Sequence, residues 1–391
     1  MKKKIVIGLE VLIADQPDYL RGKRLGLLSN PASIDNNFNH SSAIINQIFP
    51  GQLKALFSPQ HGFYAEKQDN MIESDHFIEP ELNIPVFSLY NETRIPTKKM
   101  FDQIDVLLID IQDVGTRVYT FIYTISFCLE VAAKLKKKIV ILDRPNPIGG
   151  TQIEGNILSK NRTSFVGRFP IPMRHGLTTG EISQLFNQEF HIGCDLTIIP
   201  MKGWKRQMYW KDTELFWIAP SPNLPTPQSC MVYPGQVIFE GTNISEGRGT
   251  ALPFEIFGAP FLDTKKIKPE ADELIKGAFL RPINFEPTSG KWKGIICCGF
   301  QIHITSKEEY KPYFASLLLM QLIIKHHKNN FKFKEPPYEY VFDQMPIDLI
   351  LGSKTLRKKL TGLKDLITIS NQWKEEIINF KSLSGKYHLY E

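Results

Sequence analysis

Short apolar runs recur through the first half of this chain, at residues 24–29, 53–58, 85–90, 106–111 and 139–142. Segments with helical spacing lie between several of them, notably 41–48 and 121–135. A strand that is apolar at every position must be covered on both faces. Continuous apolar strands alternating with amphipathic helices therefore predict an α/β fold with a mostly parallel sheet between two helical layers. Thr178-Thr179-Gly180-Glu181 is a capping box, with Thr178 as N-cap and Glu181 at N3, and predicts a helix through Phe186. The N-terminal Lys2 to Lys4 followed by Ile5-Val6-Ile7 imitates a secretion signal. Glu10 interrupts the apolar stretch and no small-residue cleavage site follows, so it reads as the first strand.

After a further strand candidate at 195–201 the texture changes. Pro and aromatic residues cluster between Trp204 and Pro260. The stretch 219–227 cannot be regular structure, because its prolines remove backbone donors and restrict their neighbours. A loop of this length in a compact domain is functional or disordered, and its apolar residues favour an ordered, functional one. Helix and strand patterns resume near Lys265. A chain of 391 residues suits two domains, here 1–190 and 191–391.

The net charge of +6 is modest, and the basic groups at Lys2 to Lys4, Lys136 to Lys138 and Arg357 to Lys359 read as solvated ends. No aromatic residues interleave with them, which argues against a nucleic-acid partner. No segment is long and apolar enough for membrane insertion. The 5 Cys are odd in number and lack metal-type spacing, which points to reduced thiols.

Three polar stretches interrupt the pattern. Ser58-Pro59-Gln60-His61-Gly62 and Asp143-Arg144-Pro145-Asn146-Pro147 directly follow strand runs; Ser245-Glu246-Gly247-Arg248-Gly249-Thr250 lies in the later region. In an open α/β sheet, ligands bind beyond the carboxyl ends of the strands, so the first two mark a site. Gly62 permits a sharp turn that exposes His61 and Glu66. Glu66 can serve as general acid or base if its surroundings shift its pKa. Equally, it is a loop carboxylate and His61 a local hydrogen-bonder. Asp110, Asp113 and Arg117 suit a sugar or a metal, although Asp110 can simply cap a turn. A metal needs more ligands, which His61, Asp113 and Asp143 supply only by converging in space. Prolines hold Asp143, Arg144 and Asn146 rigidly, which favours binding over a merely internal ion pair. His175 stands just before the capped helix, whose N-terminus favours an anion or polar group; it serves equally as a loop residue. Glu240, Glu246 and Arg248 sit among glycines that let a ligand approach the backbone. No Walker ending and no Gly-x-Ser-x-Gly elbow occurs.

These motifs are similar to those of the YbbC/NamZ family, regarded as exo-β-N-acetylmuramidases of glycoside hydrolase family 171. The matching residues include Gly8 through Leu12, Asn30-Pro31-Ala32, Pro59-Gln60-His61-Gly62 and Asp110 through Thr120. They continue with Asp143 through Pro147, His175 through Thr178, Pro220 through Pro225, Tyr233-Pro234-Gly235 and Glu240 through Thr250. The resemblance implies a Rossmann-like N-terminal domain and a smaller α/β C-terminal domain that closes the active-site cleft. It also implies release of N-acetylmuramic acid from the non-reducing ends of peptidoglycan fragments. The chain departs at Gln60, where many relatives carry a Glu proposed as acid/base; an amide cannot transfer that proton.

The first resulting reading is a glycosidase that needs no cofactor and no metal. Its acid/base is expected to be Glu66, with His61 adjusting the pKa. The group on the opposite face is Asp113, Glu246 or the substrate's own acetamido group, with Gln60 or a second carboxylate orienting the amide. Arg117, Arg144 and Arg248 are candidates for the lactyl carboxylate, since a guanidinium grips it bidentately. Asn146, Ser221 and Asn223 would bond sugar hydroxyls, and Tyr119 or Tyr233 would stack on the ring. Asn30, Asp143, His175 and Glu240 complete the expected binding set. The second reading, motivated by Gln60, is a non-catalytic binder of muropeptide fragments, or a glycosidase for a different amino sugar. The third, a nucleotide-binding enzyme, lacks a Gly-x-Gly-x-x-Gly after the first strand. The expected partner is a peptidoglycan-derived saccharide, with oligomeric state left open. The expected location is the cytoplasm, with periplasm or secretion as the alternative.

Overall fold

The computed structural model describes residues 5–69 and 71–391, so the basic group Lys2 to Lys4 lies outside the described residues. Seven strands form the larger sheet: β1 (Leu25–Ser29), β2 (Leu53–Ser58), β3 (Phe77–Glu79), β4 (Ile84–Ser88), β5 (Val106–Asp110), β6 (Lys138–Leu142) and β7 (Asp195–Ile199). Their order is β3-β4-β2-β1-β5-β6-β7, and only the β3–β4 pair is antiparallel. The unbroken apolarity of β5 follows from its central place. Val106 and Leu108 enter one core cluster with Leu9, Leu12 and Ile45, while Leu107 and Ile109 enter the other with Ile125 and Leu129. Alternate residues thus meet helices Gly8–Asp15 and Ser41–Ile48 on one face and Phe121–Leu135 on the opposite one.

One expectation is corrected. Residues 5–7 are not a strand; Val6 makes a single bridge to Lys202 and a helix begins at Gly8. Glu10, which broke the apolar stretch, accepts from the Ile7 N–H at 3.1 Å and caps that helix. The edge strand β3 was invisible to the pattern because it is only three residues long, with Phe77 half-buried, Ile78 exposed and a carboxylate, Glu79, as its one buried member. β7 joins the larger sheet although it follows residue 190, because β6 pairs along its whole length with β7. The helix expected from the capping box runs Thr179–Glu189, with Thr178 as its N-cap.

The second layer is a three-stranded antiparallel sheet, order β8-β10-β9, made of β8 (Ile256–Ala259), β9 (Ala278–Phe285) and β10 (Cys297–Ile304). Helices Pro227–Gln236 and Pro312–His327 pack closely there. At Gly235 a Cβ would lie 1.9 Å from the Pro312 carbonyl, so only glycine lets the two backbones meet. The irregular stretch 219–227 ends where Thr226 caps the first of these helices, with Pro227 in its first turn. All five cysteines are free thiols. Among the described residues no helix is long and apolar enough to cross a membrane.

Candidate active site

Strand order reverses between β1 and β5, and the crevice at their carboxyl ends is where an α/β sheet would receive a ligand. Here much of that crevice is filled by the protein's own polar side chains. Arg144 forks onto Asp110 at 2.5 and 2.8 Å and also donates to the Ile34 carbonyl. The Asn30 amide donates to Gln112 O, and its oxygen accepts from the Ala32 N–H. Asp143 accepts from Thr178 Oγ1, the Gly180 N–H and Tyr390 Oη. Asn146 bonds Leu177 O and the Ile148 N–H. Arg117, fully buried, donates to four main-chain carbonyls, of Asn156, Ile171, Ile350 and Leu351. Asn30, Arg117, Asp143, Arg144 and Asn146, expected as sugar ligands, are thus held by bonds within the fold, and none of them lines the recess described next.

A recess lies beside this network, lined by residues from both halves of the chain. The loop after β2 supplies Gln60 and His61, and the segment after β5 supplies Tyr119 and Thr120. Ser221 and Asn223 come from the Pro-rich loop, and Asn223 Nδ2 ties that loop to Gln68 O at 2.9 Å. Tyr119, Tyr233 and Phe254 form an aromatic wall, with successive edge-on contacts at 6.0 and 4.8 Å between ring centroids.

Two carboxyl groups face this space. Glu240 pairs with Arg248 at 2.6 Å and accepts from Tyr338 Oη at 2.7 Å. Glu339 accepts from Gln60 Nε2 at 3.1 Å and Tyr90 Oη at 2.6 Å. Thr120 Oγ1 donates to Gln60 Oε1 at 2.7 Å, which fixes the direction of the amide. Burial pushes the Glu339 carboxyl above its ordinary value, helped by the nearby charge of Glu240 and opposed by the Tyr90 and Gln60 bonds and by Arg94. The backbone holding it is unusual. Glu339 and Tyr340 have φ of 46° and 63°, at the centre of a tight turn closed by Tyr338 and Val341 bonding in both directions. Such turns normally take Asn or Gly, and each bulky residue in that region costs on the order of 1–3 kcal/mol. Arg94 braces the turn, its guanidinium 3.8 Å from the Tyr340 ring centre and 4.5 Å from that of Tyr90.

His61 lines the recess at φ 79°, with Nδ1–H donating to the Lys67 carbonyl at 2.7 Å. Burial lowers its pKa to about 4, so near neutral pH it offers an unprotonated Nε2. Glu66 is corrected as well. It is exposed, accepts from the Tyr64 N–H, and folds back over Gly62, where a Cβ would meet its carboxylate at 2.4 Å. It does not line the recess. Glu246 sits one step behind, bridged to Arg248 at 3.2 Å and Lys291 at 2.8 Å. Burial is the largest single influence on the Glu246 carboxyl and raises it, but Lys291 and Arg248 together outweigh burial and draw it below its ordinary value.

Asp113 and His175 are buried behind the aromatic wall and do not reach the recess. His175 Nδ1 accepts from the Leu177 N–H, and Nε2 stands 3.8 Å from Asp113 Oδ2. This is not an ion pair near pH 5, because burial lowers His175 to about 3 and raises Asp113 to about 7. The signs are opposite. The His175 contribution is full above its ordinary value and is lost as pH falls towards about 3. The Asp113 contribution is full below its ordinary value and is lost as pH rises through about 7. Asp113→Asn is therefore expected to gain roughly 2–3 kcal/mol relative to the parent between pH 5 and pH 8. Urea melts at the two pH values check this; an unchanged difference would refute it.

Glu339, Tyr338, Tyr90 and Thr120 were not legible as site residues. Tyr-Glu-Tyr at 338–340 carries no motif, and the two positive φ values that flag it exist only in the fold. Among the described residues no group of three or more His, Cys, Asp or Glu side chains could hold a metal ion.

A parallel α/β sheet, a smaller antiparallel layer and a recess between them with an aromatic wall and two buried carboxyls define a small-ligand enzyme site of sugar-binding character. The chain belongs to the exo-β-N-acetylmuramidase NamZ family: its N-terminal description matches residues 25–228 and its C-terminal description residues 231–390. The chain is 38% identical over 390 residues to the peptidoglycan β-N-acetylmuramidase NamZ of Bacillus subtilis (strain 168), covering 100% of this chain and 92% of that protein. A crystal structure of a DUF1343 family protein from Bacteroides fragilis NCTC 9343 superposes with a TM-score of 0.88 at 34% identity, covering 99% of both chains. A second such protein from that organism gives 0.76 at 29% identity, covering 100% of this chain and 99% of the other.

Proposed function

We propose that this chain is an exo-acting β-N-acetylmuramidase that removes N-acetylmuramic acid from the non-reducing ends of peptidoglycan fragments. The observation that carries the reading is the recess itself, which sets two carboxyls and an aromatic wall around one space. The full-length likeness to a β-N-acetylmuramidase supports it. Tyr119 and Tyr233 offer the apolar face that a pyranose stacks on, and Ser221 and Asn223 offer hydroxyl partners. Arg248 lines the same space, and its Nη1 has no hydrogen-bond partner among the described residues; it is the donor for the lactyl carboxylate.

Hydrolysis needs one group to protonate the leaving oxygen and another to attack the anomeric carbon. Asp113 and Glu246 lie outside the recess, and Glu240 is ion-paired to Arg248. The geometry therefore favours attack by the substrate's own acetamido oxygen. A chromogenic β-N-acetylmuramide and the matching β-N-acetylglucosaminide test the reading. Release from the muramide alone is expected; release from neither, with muramic acid still raising the melting temperature, would leave a binder.

A further inference from the structure

We propose that Glu339 is the catalytic acid of this site, held in place by Gln60 and Tyr90. The inference rests on the muramidase reading above and assigns it a residue. Glu339 lines the recess and is almost fully buried. Glu240, the other carboxyl there, is engaged by the Arg248 cation, whereas Glu339 accepts, among the described residues, from an amide and a phenol. A carboxyl bonded by neutral donors can carry a proton without breaking an ion pair. The adjoining amide is itself oriented by Thr120, so the Glu339 Oε1 edge is fixed at the junction of the two halves of the molecule. The turn that carries Glu339 keeps two non-glycine residues at positive φ, and strained backbone of this kind gathers at functional positions.

The step balances as follows. The Glu339 O–H proton passes to the glycosidic oxygen as the C1–O bond breaks, with the bonding pair staying on that oxygen. The acetamido oxygen forms the new bond to C1. Water then opens the resulting ring at C1 and gives its proton to the Glu339 carboxylate, which restores the acid. Four groups bear on the Glu339 proton: Glu240 favours it, while Tyr90, Gln60 and Arg94 oppose it.

The test compares Glu339→Gln and Glu339→Ala with the parent on two substrates, an unactivated muramyl disaccharide and a nitrophenyl muramide. For the disaccharide, kcat is expected to fall about 10²–10⁴-fold in both variants. The nitrophenyl substrate needs little protonation, so with azide present Glu339→Ala should come within about tenfold of the parent and yield a glycosyl azide. The alkaline limb of kcat/KM should vanish in Glu339→Gln. In Tyr90→Phe it should move to higher pH, because a bond favouring the carboxylate has gone. Unchanged turnover in Glu339→Gln, or equal loss on both substrates without azide rescue, would overturn the assignment while leaving the muramidase reading intact. A parent enzyme inert on both substrates would overturn the two together. Circular dichroism of each variant separates misfolding from loss of the acid.

Discussion

Arg117→Leu is expected to lower the unfolding free energy by on the order of 4 kcal/mol. The guanidinium is fully buried and donates to four main-chain carbonyls at 2.7 to 3.2 Å. Two of these belong to Ile350 and Leu351, at the end of helix Pro346–Leu351, where carbonyls have no partner within the helix. The other two belong to Asn156 and Ile171, so one side chain joins segments far apart in sequence. Leucine supplies similar bulk and no donor. Each buried carbonyl left without a partner costs about 1–3 kcal/mol, partly offset because a buried charge is removed as well. Urea unfolding followed by tryptophan fluorescence measures the loss. A change below about 1 kcal/mol would show that Arg117 is not the brace described.

Arg248→Met is expected to act on the site instead. It removes the cation shared by Glu240 at 2.6 Å and Glu246 at 3.2 Å, while Glu246 keeps its second bridge, to Lys291. Breaking a buried ion pair on one side costs about 3–5 kcal/mol. That alters the charge of the recess, and the donor assigned to the lactyl group is lost. The expected fall in kcat/KM on the muramide is on the order of 100-fold or more. Arg248→Lys should recover only part of it, because one ammonium cannot fork onto two carboxylates. Activity close to the parent in Arg248→Met would remove Arg248 from the site.

The two arginines show where sequence reading stops. Both stand in polar, glycine-containing stretches of similar texture, and both were reasonable partners for a carboxylate. What separates them is where the chain places them: Arg117 beneath four carbonyls, Arg248 on the wall of the recess. The parallel sheet was legible because its strands are buried on both faces, and burial on both faces leaves an unbroken apolar run. The capped helix was legible because Thr178 and Glu181 are a local chemical device. His61, Tyr119, Ser221, Asn223, Tyr233, Glu240 and Arg248 were expected in the site, and the fold brings them to one recess. Glu66 was expected there because it shares the loop of Gln60 and could take over the acid/base role, yet the turn at Gly62 carries it outward. Glu339 was out of reach because its significance comes from pairing with Gln60, 279 positions away.

The most direct measurement is to digest a peptidoglycan glycan fragment with a muramic acid at its non-reducing end and to follow the products by mass spectrometry. Free N-acetylmuramic acid together with a chain shortened by that one sugar is the expected result. Internal fragments, or an intact chain under conditions where N-acetylmuramic acid still binds, would contradict the recess as an exo-muramidase site.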